Sequence, residues 1–185
     1  MSEAAATTET DDGPVRFMDQ LVGLDYRIVT PPVRRRFEER MQGRRITGDQ
    51  CPSCGLVYVP PKGFCPLCVV ETTDDDIREV SDVGTVVSFT VLTPIQYRGQ
   101  EERQPYVLAS LLLDGANATV GQQRIAGIDT DDVRTGLRVR ARWRPEGEPA
   151  GEDATGRLGL GPAIEHWEPS GEPDAAPETY QEHIL

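Results

Sequence analysis

The chain is nearly devoid of lysine: of its 19 basic residues only Lys62 is not an arginine. Histidine is also scarce, with only His166 and His183. No apolar run approaches the roughly 20 residues that a membrane-spanning helix needs, so no membrane span is expected. No Gly-x-Ser-x-Gly, P-loop or Gly-x-Gly-x-x-Gly occurs, which removes the local signatures of three common routes to catalysis. Aromatic residues make up 6% of the chain, too few for an extended base-stacking surface. No secretory signal opens the sequence, so a reducing, cytoplasmic setting is expected, and two disulfides are not.

What the chain does have is a concentrated set of thiols. All four cysteines lie in Cys51-Pro-Ser-Cys54 and Cys65-Pro-Leu-Cys68, with ten residues between the pairs. A Cys-x-x-Cys turn sets two sulfurs on one side of a tight loop, and two such turns complete a tetrahedral S4 site. Zinc is the expected occupant, with iron in a rubredoxin-like site as the competing one. Residues 55–64 read as a small hairpin. Leu56 to Val59 alternate, and Pro60, Pro61 and Gly63 turn the chain. A closed S4 site leaves no open position for a substrate.

The net charge of −12 is unevenly spread. Residues 1–13 sum to −4 and residues 146–185 to −9, whereas residues 14–68 sum to +4. The acid lies mostly in the two ends, and the segment around the cysteines is locally basic. Residues 1–14 are expected to be disordered. Residues 15–50 form an N-terminal extension with a helix at 32–43. There Pro32 suits a first turn, Val33, Phe37 and Met41 share one face, and Gly43 marks the stop. Phe17, Met18, Leu21, Leu24, Tyr26 and Ile28 need a surface to pack on, in this chain or in a partner.

Residues 51–70 are the ribbon, and residues 71–168 read as mainly β. Strands are expected at 77–92 with a bend at Gly84, at 105–114, at 118–125, at 137–144 and at 158–167. A single helical turn falls at 129–135. Five strands without a βαβ rhythm suggest a small Greek-key barrel of the OB type. Residues 169–185 read as a flexible acidic tail.

Two arginine groups stand out. Arg34, Arg35 and Arg36 lie on the helix. Arg138, Arg140, Arg142 and Arg144 form one side of a strand whose other side is Leu137, Val139, Ala141 and Trp143. Both groups are ordinary solvated faces, or they bind an anionic ligand or an acidic partner. His166 reads as a strand-end surface or packing residue, and His183 as part of the tail. With the thiols committed to metal, no catalytic set is assembled.

The order of these parts resembles a known family. The basic helix, Arg45-Ile-Thr-Gly-Asp-Gln-Cys51, the ribbon ending at Cys68, Ser81-Asp-Val-Gly-Thr-Val-Val-Ser-Phe89, Pro105-Tyr-Val and Val133-Arg-Thr-Gly-Leu-Arg-Val139 carry the likeness, across roughly residues 31–145. The family is that of acyl-CoA-associated proteins with a rubredoxin-like zinc ribbon and a C-terminal OB-fold. The resemblance implies a non-catalytic accessory subunit of a thiolase-like, lipid-transfer-type enzyme. Such a subunit helps form the channel for a CoA thioester in thiolytic or retro-aldol cleavage or in acyl transfer, as in steroid side-chain or aromatic-acid degradation. The arginines named above would then be contacts for CoA phosphates or for the partner. Two other classes stay open from the residues alone: a nucleic-acid-binding ribbon–OB protein and a rubredoxin-like electron carrier.

Overall fold

The structure is a computed structural model, and it describes residues 23, 29–94, 102–145, 160–161 and 163–184. The expectations for residues 1–14, for the apolar side chains between 17 and 28, and for the start of the strand at 158–167 lie outside these residues. Helix α1 spans Pro32–Gln42, with proline in its first turn. It buries Phe37 and Met41. The chain turns out of it in a left-handed conformation at Arg44 (φ 56°), while the expected stop, Gly43, has an ordinary φ of −81°.

A three-stranded sheet follows, with β1 (Ile46–Gln50) between β2 (Val57–Tyr58) and β3 (Ile77–Val80). The sequence reading differs here in two places. The strand facing residues 57–58 precedes the first cysteine turn and is not part of a hairpin within 55–64, because Asp49 pairs with Tyr58 and Gln50 with Val57. The stretch 77–92 is two strands. Ile77–Val80 joins β1, and the chain then breaks at Ser81, whose Oγ accepts the Val83 N–H at 3.0 Å.

The second part is a closed barrel of β4 (Val83–Leu92), β5 (Tyr106–Leu113), β6 (Val120–Ile125), β7 (Arg138–Trp143) and β8 (Ile164–Pro169). Its circular order is β4-β5-β6-β8-β7, and β6 and β8 run parallel. The irregularity in β4 falls between Val86 and Ser88, not at Gly84. Gly84 instead permits a close approach of β5, since a Cβ there would sit 2.7 Å from the Leu112 carbonyl oxygen. Between β6 and β7 lies a single 3-10 turn, Thr130–Asp132.

One apolar core runs through both parts. Phe37, Met41, Ile46, Val57 and Val80 belong to the same buried cluster as Val86, Leu111, Leu113, Val139 and Trp167. Asn117 adds a polar clasp between β2 and the loop before β6. Its Oδ1 accepts the Val57 N–H and its own N–H donates to the Val57 carbonyl, both at 2.9 Å. Helix, ribbon sheet and barrel therefore share one core, and burial of each helps hold the others.

Residues 170–184 depart from the expected flexible tail. The Ala175 N–H donates to the Gly136 carbonyl at 2.8 Å. Arg134 binds both oxygens of Asp174, and Tyr180 is buried. This segment walls one side of a cavity of about 400 Å³, opposite Leu112, Leu113 and Arg138. His183 sits in a short 3-10 turn with Nε2 3.6 Å from Glu182 Oε1. Acidic composition concealed this docking, because a single aromatic and a few carboxylate–arginine pairs accomplish it.

Candidate metal centre

The two cysteine turns are built alike, bond for bond. In the first, the Gly55 N–H donates to the Cys51 carbonyl at 2.9 Å and the Cys51 N–H to the Leu56 carbonyl at 2.9 Å. In the second, Val69 donates to Cys65 at 2.9 Å and Cys65 to Val70 at 2.8 Å. Each turn points backbone N–H groups at its own leading sulfur. Ser53 and Cys54 donate to Cys51 Sγ, and Cys68 donates to Cys65 Sγ, all at 3.4 Å. Such donors stabilise thiolates, the form that binds metal.

Both turns close with a left-handed residue. In the first it is Gly55, with φ 75°; in the second it is Val69, with φ 55°. Glycine adopts this conformation without strain, whereas a side chain there costs about 1–2 kcal/mol and a β-branched one is an outlier.

The four sulfurs lie within 4.8 Å of one another, with Cys54 Sγ and Cys65 Sγ 3.8 Å apart. Cys51 and Cys65 are buried, while Cys54 is exposed. Burial pushes the Cys65 thiol up, but the N–H groups of Cys68 and Leu67 outweigh it and bring its pKa down to about 6. Cys54 goes the other way. A Leu56 N–H draws it down, but loss of water and the neighbouring sulfurs push it up to about 12. Four sulfurs this close cannot all ionise without a cation between them. The donor set and spacing thus fit a tetrahedral thiolate site, and four cysteines of a rubredoxin-like ribbon are consistent with zinc.

Two residues that sequence reasoning missed support this centre. Asp49 is a carboxylate only 2% exposed. Its Oδ2 accepts from the Lys62 N–H at 3.0 Å, the Gly63 N–H at 2.8 Å and the Thr72 hydroxyl at 2.8 Å. One oxygen thereby ties β1 to both flanks of the second turn. Tyr58 lies with its hydroxyl 3.9 Å from Cys65 Sγ. Burial and the Cys65 sulfur raise its pKa to about 12, so it keeps a proton to offer a thiolate. The Lys62 ammonium stands over the Tyr58 ring, 5.9 Å from its centre. An aspartate two residues before a Cys-x-x-Cys, inside a short strand, is the signal that could have found the first of these.

The arginines divide. Arg34 binds Glu38 at 2.9 Å and lies over the Phe37 ring. Arg36 Nε lies 3.0 Å from Asp74 Oδ1, tying α1 to the turn before β3. Arg35 is exposed. In β7, Arg138 is engaged internally by Asp114, Glu172 and the Thr85 hydroxyl. Arg140 and Arg142 are exposed and stand opposite Glu168 and His166 of β8. The Arg44 guanidinium reaches the Arg144 carbonyl at 3.4 Å, so the two basic stretches of sequence meet where α1 ends and β7 ends. His166 Nε2 is 3.9 Å from Glu168 Oε2. Trp143 donates to Asp82 at 3.0 Å and Trp167 to Gln123 at 3.1 Å, and Trp167 is fully buried, so neither indole N–H is open to a ligand.

A four-thiolate ribbon fused to a five-stranded barrel defines a ribbon–OB protein. Family models agree in both parts. Residues 43–72 match the rubredoxin-like zinc ribbon domain of ChsH2, and residues 77–144 match the C-terminal OB-fold domain of ChsH2. A DUF35 domain-containing scaffold protein of Methanothermobacter thermautotrophicus is 31% identical over 114 residues, covering 60% of this chain and 80% of that protein. The chain belongs to the DUF35 family of ChsH2-type zinc-ribbon/OB-fold proteins. Among solved structures, the Ltp2-ChsH2(DUF35) aldolase matches with a TM-score of 0.54 at 23% identity, over 78% of this chain and 99% of that one. A DUF35-family protein of unknown function from Sulfolobus solfataricus matches with a TM-score of 0.50 at 22% identity, over 60% and 78%. These two likenesses are of fold. Among the described residues no helix is long and apolar enough to cross a membrane.

Proposed function

We propose that this chain is a non-catalytic subunit that pairs with a thiolase-like enzyme and helps form the passage for its CoA thioester. The observation that carries the reading is the commitment of the chemistry-bearing residues. All four thiols converge on one closed site, where a bound metal holds two loops rigid and has no position left for a substrate. The ribbon is then fixed to the barrel through a shared core and Asn117, which suits a part that positions something else.

The kinship supports the same reading. One relative carries the name scaffold protein, and a structural neighbour is a two-component aldolase. Carried to this chain, the partner supplies the base, the nucleophile and the oxyanion donors that carbon–carbon cleavage beside a thioester requires. The reaction is thiolysis, retro-aldol cleavage or acyl transfer, on an acyl group of the steroid side-chain or aromatic-acid kind. Among the arginines raised from the sequence, Arg35, Arg140 and Arg142 are exposed and free to meet a CoA phosphate or an acidic partner. Arg138 serves the barrel instead.

Co-expression with a thiolase-like protein of the same organism tests the pairing. Native mass spectrometry is expected to show a single hetero-oligomer containing both chains. Two species that purify apart at micromolar concentration would overturn the reading.

A further inference from the structure

The two cysteine turns share their backbone bonds and differ in what they show to solvent. The first presents Ser53 and Gly55. The second presents Phe64, Leu67 and Val69, which are 48%, 72% and 81% exposed. Val69 combines two unfavourable features, a left-handed backbone on a β-branched residue and a side chain almost wholly in water. Glycine at the same place in the first turn has neither. A residue that is strained and hydrates an apolar side chain does nothing for the folded monomer.

We propose that the second cysteine turn is a docking knob, whose Phe64, Leu67 and Val69 insert into an apolar recess with a basic rim on the thiolase-like partner. The inference rests on the reading of this chain as that partner's subunit. Shape and charge together select the occupant. The knob is convex, because its side chains radiate from a turn wrapped around the sulfurs, so it needs a concave surface on a folded protein. It is rigid once metal is bound, so little freedom is lost on docking. Its surround is acidic on balance: of the exposed charges between residues 62 and 75, Glu71, whose backbone pairs with Phe64 in an isolated bridge, Asp74 and Asp75 outnumber Lys62. A second copy would set these carboxylates against their like, between chains of net charge −12 each, which disfavours self-association.

The variant Val69→Gly separates docking from folding. It relieves the strained backbone and removes the side chain, so the full chain is expected to hold its metal and melt no lower than wild type. Its affinity for a thiolase-like protein of the same organism that forms the hetero-oligomer, measured by titration calorimetry, is expected to fall roughly tenfold, and that of Leu67→Asp by roughly a hundredfold. A photoreactive benzoylphenylalanine at position 67 is expected to cross-link to that partner. Wild-type binding with both variants unchanged overturns the knob and leaves the pairing intact. No wild-type binding overturns the pairing and the knob with it. A cross-link to residues 15–28 of the same chain, or to a second copy, overturns the assigned occupant.

Discussion

Replacing Cys65 with serine is expected to release the metal and open the N-terminal half of the chain to proteases. Cys65 is fully buried, and the N–H groups aimed at it bring its pKa down to about 6, so its sulfur is well prepared to capture a cation. In zinc-finger peptides a structural zinc contributes about 10–16 kcal/mol of apparent binding free energy at neutral pH. A whole domain is stable by only about 5–15 kcal/mol. Losing one of four ligands therefore suffices to unfold the ribbon. Metal analysis of the wild type is expected to give about one zinc per chain and a colourless protein, as a four-ligand structural site implies. A red protein would mean iron. A Cys65→Ser chain that keeps its metal and its protease resistance would refute the assignment.

The same site sets a pH dependence. Binding at neutral pH must displace protons from Cys54 and Cys68, whose pKa values are raised, while Cys65 is already a thiolate. Metal-linked stability is thus present at higher pH and is lost as pH falls. The loss is expected to steepen below about 6, where Cys65 itself takes up a proton.

Asp49→Ala is expected to be the most damaging change outside the cysteines. It orphans two backbone N–H groups and the Thr72 hydroxyl, all aimed at one buried oxygen. Each unsatisfied buried donor costs about 1–3 kcal/mol. The variant is expected to lose several degrees or more of melting temperature and to hold metal more weakly. Asp49→Asn keeps an acceptor of the same shape and loses only the charge, so it is expected to fall between. An alanine variant melting within about 2 °C of wild type would show that water replaces the carboxylate, since 1 kcal/mol corresponds to about 2–8 °C in domains of this size range.

What the sequence disclosed follows from locality. Two Cys-x-x-Cys turns need only a few consecutive residues, so spacing alone identified the four sulfurs now found within 4.8 Å. Strands β4, β5 and β7 announced themselves by β-branched runs or strict alternation. Strand β1 did not, because Thr47 and Asp49 are buried polar residues in place of apolar ones, and their partners lie nine to 32 positions away. The helix at 32–42 was legible, but its union with the ribbon through Arg36 and Asp74 was not, since surface ion pairs leave no pattern in sequence. The C-terminal segment misled by composition. Its acids neutralise Arg134 and Arg138, and the strand pattern alone placed Arg138 among exposed arginines.

In the proposed function this chain contributes position and leaves the chemistry to its partner. The most direct measurement assays the purified full chain, its thiolase-like partner and their mixture on a panel of acyl-CoA and β-hydroxyacyl-CoA thioesters. The expected result is no turnover by the chain alone and full turnover only in the mixture. Robust turnover by the lone chain, abolished by His166→Ala, would contradict it.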